Sequence, residues 1–124
     1  MVAVTTEDLL LLSDRIDALI DDRQAPPSAA LLAEMEHTLT DGYARALELE
    51  AARWRQEREV TQRATRIASA DDAAELRLLV DGLAESDRVL GQLRVRLQAL
   101  RRRTDAVRAG VVAPPAYAPA STAL

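Results

Sequence analysis

A chain of 124 residues has room for one domain. Its apolar share is 48%, supplied mostly by Leu and Ala, while Phe is absent and Trp54, Tyr43 and Tyr117 are the only aromatics; long helices packed side by side are expected rather than a large closed substrate pocket. With no Cys, disulfides and thiolate metal sites are excluded, and the net charge of −4 is unevenly spread: residues 1–50 carry eleven acids against three Arg, residues 51–108 thirteen Arg against nine acids.

The first helix is expected over about residues 6–24. Thr5 or Thr6 can cap it, Glu7 and Asp8 suit its positive first turn, and Leu9, Leu12, Ile16 and Leu19 recur on one stripe. Acids flank and interrupt its run of four leucines, and no basic leader precedes it. Neither a signal peptide nor a membrane span is expected, and a cytoplasmic address follows. Ala25-Pro26-Pro27 stops this helix, and Ser28 can cap the next.

The second helix is expected over about 29–68. Leu32, Met35, Leu39, Tyr43, Ala46, Leu47 and Trp54 keep a helical period, and Thr40-Asp41-Gly42 is the one place where it can break. Ser69-Ala70-Asp71-Asp72 has the form of a capping box opening a third helix over about 72–109. There Leu76, Leu79, Leu83, Ser86, Leu90, Leu93, Leu97, Leu100, Thr104 and Val107 alternate at steps of three and four for more than four heptads. That repeat means coiled-coil packing. Gly110 is expected to end the helix as a C′ glycine, and 111–124 to form a flexible Ala/Pro-rich tail.

A turn of two or three residues makes the long helices antiparallel neighbours. The fold class is therefore all-α: a long antiparallel helical hairpin, in one domain over 1–110, with the short first helix packed at one end to form a three-helix bundle. Pivoting near Ala70 sets residue i beside about 140 − i, bringing Tyr43 near Leu97, Leu47 near Leu93, and Trp54 beside Ser86 and Gly82. Asp8, Asp14, Asp17, Asp21, Asp22, Glu36 and Glu50 of the first two helices are then expected near the arginines flanking the third helix's heptad. In the free arm, Leu76, Leu78, Leu79, Val80 and Leu83 exceed what Trp54, Val60 and Ala64 can cover. Such an excess marks a surface for a protein partner or a second copy.

Candidate chemistry is sparse. His37 is the only histidine and forms Glu34-x-x-His37 once, whereas carboxylate-bridged di-iron bundles need the pattern twice; a solvated polar face, with no metal or cofactor, is expected. Arg94, Arg96, Arg101, Arg102, Arg103 and Arg108 form a candidate phosphate-binding stripe, but the net acidic charge and the internal acids favour ion pairing over nucleic acid. Asp71 and Asp72 at the hairpin tip, with Glu75, resemble the acidic coiled-coil tips of transcript-cleavage factors, though helix capping explains both Asp residues. Pro114-Pro115-Ala116-Tyr117 fits the PPxY pattern read by WW domains, which a tail of this composition also produces by chance. No Gly-rich phosphate loop or nucleophile–base set is present, so no enzyme is expected.

The segment Leu39-Thr40-Asp41-Gly42-Tyr43-Ala44-Arg45-Ala46-Leu47-Glu48-Leu49-Glu50-Ala51 resembles small helical-hairpin proteins of high-GC actinobacteria. The resemblance implies that Gly42 and Tyr43 lie inside a helix, and brings no activity or site residues. The leading expectation is a non-enzymatic coiled-coil interaction or structural module. The alternative is a transcription or nucleic-acid-associated regulator acting through the Arg stripe or the acidic tip.

Overall fold

The computed structural model describes residues 6–22 and 25–112. They form three helices: α1 (Thr6–Asp21), α2 (Ala29–Ala64) and α3 (Ala70–Val112). At 1.5 Å per residue, α2 and α3 run about 54 and 64 Å. They pack antiparallel as a hairpin, and α1 packs against both at the end away from the turn, making the expected all-α hairpin with a three-helix base. No described helix is long and apolar enough to cross a membrane.

Local chemistry sets the starts. Ser28 takes extended backbone angles and its hydroxyl accepts from the Leu31 amide at 3.1 Å, capping α2. At α3, Ser69 Oγ accepts from the Asp72 amide at 3.1 Å while the Asp72 carboxylate accepts from the Ala68 amide at 3.0 Å. This is the reciprocal arrangement of a capping box, shifted one residue outward on the return bond. The C-terminal end of α1 has no base in its last turn. Instead Arg103 donates to the Asp22 carbonyl at 2.8 Å and places a cation where the helix dipole is negative.

Several boundaries differ from expectation. α2 stops at Ala64 and residues 65–69 make a five-residue turn, longer than the expected two or three. Thr65 Oγ1 donates back to the Gln62 carbonyl at 2.8 Å and helps to end the helix. Asp22 is already outside α1; Thr5 and Gln24 lie outside the described residues. Gly110 does not terminate α3. It has no positive φ, and the helix continues to Val112, so Val111 and Val112 belong to the helix rather than to a tail. A Cβ on Gly110 would lie 2.9 Å from Pro27 Cγ; its bare backbone lets the α1–α2 connection approach. Residues 113–124, with the expected flexible tail and the PPxY match, lie outside the described residues.

The core lies at the base. Leu12, Ile16 and Leu19 of α1, Met35 and Ala46 of α2, and Leu90, Leu93, Leu97, Leu100 and Val107 of α3 are buried, with Thr38 and Thr104 fully enclosed among them. Both threonines satisfy their hydroxyls by donating to the carbonyl four residues back, at 2.9 and 2.7 Å. All ten α3 heptad positions face inward, and burial declines from complete near Leu100 to partial at Leu76, Leu79 and Leu83.

α2 is continuous through Gly42, because Thr40 bonds the Glu36 carbonyl at 3.0 Å instead of capping a new helix. Its inward face is the expected one at Leu32, Met35, Leu39 and Ala46, which lie in or against the core, but not at Tyr43, Leu47 and Trp54. Met35, Thr38, Gly42 and Ala46 are buried, while Tyr43, Leu47 and Trp54 are exposed. The register near 140 is right at Gly42 and Leu97, but the inward positions expected for Tyr43 and Leu47 fall one residue earlier, at Gly42 and Ala46. A Cβ on Gly42 would sit 2.3 Å from Leu97 Cδ2, so the leucine fills the space above a bare backbone. Nothing lies within 4 Å of a Cβ on Gly82, and Trp54 does not pack there.

Candidate interaction surface

Three rows of side chains run along the C-terminal half of α3. The seam is buried in the hairpin. On one flank, Arg96 and Arg103, seven residues apart, hold α1: Arg96 Nε donates to Asp17 at 3.2 Å and Arg103 holds the Asp22 carbonyl. Arg15 of α1 reaches α2 on the same side, donating to Thr38 Oγ1 at 3.1 Å and to Asp41 at 3.3 Å.

On the other flank, Arg94, Arg101 and Arg108 repeat at seven residues opposite Glu50, Tyr43 and Glu36, which repeat at seven along α2. Arg108 pairs with Glu36 at 2.8 Å, and Arg94 pairs with Glu50. The Glu36 hydrogen bond raises the Arg108 guanidinium above its ordinary value, with Asp105 adding to it. At the middle rung an acid is missing: Arg101 shares a groove with Tyr43 and has no ion pair with a described residue. Nearer the tip, Asp87 pairs with Arg53, and its hydrogen bond raises the arginine in turn. Glu57 leans on the same guanidinium at 3.5 Å, so two carboxylates share one cation.

Because α1 lies on the Arg96 flank, no described element covers the Arg101 flank. There a groove of about 650 Å³ is floored by Ala46 and Leu97 and walled by Tyr43 and Leu47 on one side and Gln98 and Arg101 on the other. Trp54 lies two turns beyond Leu47 on the same stripe of α2. Leu47 is 66% and Trp54 63% exposed. An isolated exposed leucine is ordinary, but an aromatic–leucine–aromatic stripe beside an open groove is a contiguous apolar patch.

The residues singled out in the arm do not form one surface. Leu76, Leu79, Leu83 and Val60 turn into the hairpin seam and are half-buried. Leu78, 71% exposed, and Val80, 45% exposed, lie about 200° apart around α3 and so face opposite sides. Trp54 alone joins the exposed stripe. The Arg stripe divides likewise: Arg96 and Arg103 serve α1, Arg94 and Arg108 serve α2, and Arg101 and Arg102 make no ion pair with a described residue. At the tip, Asp72 is engaged in capping and Glu75 pairs with Arg63 at 2.9 Å. His37 is exposed, 3.6 Å from Asp41, and no group of three or more candidate metal ligands occurs among the described residues.

Tyr43 and Leu47 are the functional candidates that periodicity concealed, because their size assigned them to the core. The available signal was the row of small residues, Thr38, Gly42 and Ala46, which marks where a leucine-lined helix can approach closely. Comparison of the chain with protein-family models, with curated proteins and with solved structures found no match.

Proposed function

We propose that the chain is a non-enzymatic helical interaction module of the cytoplasm, oligomerising or docking on a protein partner through its hairpin. The observation that carries this reading is the stripe of Tyr43, Leu47 and Trp54, exposed on the hairpin face that α1 leaves open. Large apolar side chains cost free energy when left in water, at roughly 25 cal/mol per Å², and aromatic anchors of this kind dominate protein–protein contacts. The regulator reading draws less support, since four of the six arginines on which it rests are already engaged within the chain.

Light scattering on the full chain at micromolar concentration, together with affinity capture from the native host, tests the reading. A mass above one chain, or a retained protein lost on Leu47→Glu, is the expected result. A monomer that retains nothing contradicts it.

A further inference from the structure

We infer that the occupant of the open face is a second copy of this chain, packed antiparallel so that the α2 stripes of the two copies lie on each other. This rests on the interaction reading above and specifies its partner.

The argument begins with spacing. Tyr43, Leu47, Glu50 and Trp54 follow steps of four, three and four, a pattern that reads the same in both directions. A twofold axis between positions 48 and 49 therefore sets Tyr43 of each copy against Trp54 of the other, and Leu47 against the stem of Glu50. Both aromatics are exposed in the single chain, and pairing them adds edge or stacking contact to the area removed from water.

Charge selects the same orientation. Arg101 beside Tyr43 has no ion pair with a described residue, whereas Glu57 and Asp87 near Trp54 both pair with Arg53. The antiparallel arrangement brings Arg101 of each copy toward Glu57 and Asp87 of the other. A parallel arrangement would keep each Arg101 at the Tyr43 level, away from Glu57 and Asp87 of the other copy. Burial inside the interface makes such a pair matter more than the exposed pairs elsewhere on the chain.

The surface also closes on itself. The face is isologous, and the opposite face of the base carries α1, so association stops at two copies. The patch spans about three helical turns, small for a permanent interface, which places the dimer at the weak, reversible end.

Sedimentation velocity on the full chain across a micromolar concentration series tests this. The wild type should pass from one to two copies. Leu47→Glu, at an exposed position where the change should leave the helical circular dichroism intact, should remain a monomer. Arg101→Glu should weaken the dimer several-fold, and Arg101→Glu combined with Glu57→Arg should restore much of it. A wild type that stays monomeric throughout overturns the second-copy assignment, and so does a dimer indifferent to Leu47→Glu. If that dimer is instead lost on Leu78→Glu, the interaction reading survives while the open face is ruled out as its site. A monomer whose specific capture of another protein depends on Leu47 and Trp54 likewise keeps the reading and overturns the second copy.

Discussion

Gly42 sets the spacing of the hairpin by lacking a methyl group. In an exposed helix interior, glycine to alanine gains about 0.5–1 kcal/mol. At Gly42 the added carbon would meet Leu97 Cδ2 at 2.3 Å and Cγ at 3.4 Å, and Leu97 is only 2% exposed, leaving little space into which it can move. Gly42→Ala should therefore destabilise by about 1–2 kcal/mol net, since overpacking a filled core outweighs the propensity gain. Gly82→Ala, with nothing within 4 Å, should stabilise by about 0.5–1 kcal/mol. Urea denaturation of both variants checks the pair, and equal signs would contradict this packing. Glu85 offers a titration test. Its hydrogen bonds from Arg88 in the same helix hold the carboxyl below its ordinary range. A folded value lowered in this way contributes stability above the unfolded value, which is lost as pH falls through the folded one. In an NMR titration, Glu85 should titrate lower than in Arg88→Ala, and coincident curves would contradict the pairing.

At the scale of elements, α1 and α3 were legible in the sequence because their inward rows are made of large apolar residues at regular spacing. Leu12, Ile16 and Leu19, and the ten heptad positions of α3, all face inward as their period requires. α2 was legible in extent, and in phase at Leu32, Met35, Leu39 and Ala46, but not at Tyr43, Leu47 and Trp54. Its seam is lined by Thr38, Gly42 and Ala46, then by half-buried Arg53 and Gln56, while Tyr43, Leu47 and Trp54 point outward. A period weighted by hydrophobicity follows the large residues, so it was drawn to the exposed stripe. The same inversion hid the candidate site, whose identity depends on which face α1 covers. Graded burial along α3 yields a graded prediction. Leu100→Ala, at a fully buried position, should cost about 2–5 kcal/mol, and Leu79→Ala at its half-buried position distinctly less. Ser69→Ala should cost about 1 kcal/mol through the lost cap. Thermal melts rank the three, and an order other than Leu100, Leu79 and Ser69 at or near the bottom would contradict the burial gradient.

The whole molecule is asymmetric in two ways. Along its length, a base with a filled three-helix core gives way to a two-helix arm with polar residues in its seam. Across its width, one flank is closed by the acidic α1 on Arg96 and Arg103, and the other, beside Arg101, is covered by no described element. The first asymmetry predicts that amides between residues 60 and 78 exchange with solvent much faster than those around Leu93 to Leu100. The second underlies the proposed association, and Trp54, the only tryptophan, reports on it directly. In the single chain Trp54 is 63% exposed, and in the proposed antiparallel pair Tyr43 of the other copy covers it. Its fluorescence across a dilution series from high micromolar to nanomolar is the most direct measurement. Emission should move to longer wavelength on dilution in the wild type and stay at the long-wavelength limit throughout in Leu47→Glu; a wild-type spectrum that does not change with concentration would contradict the account.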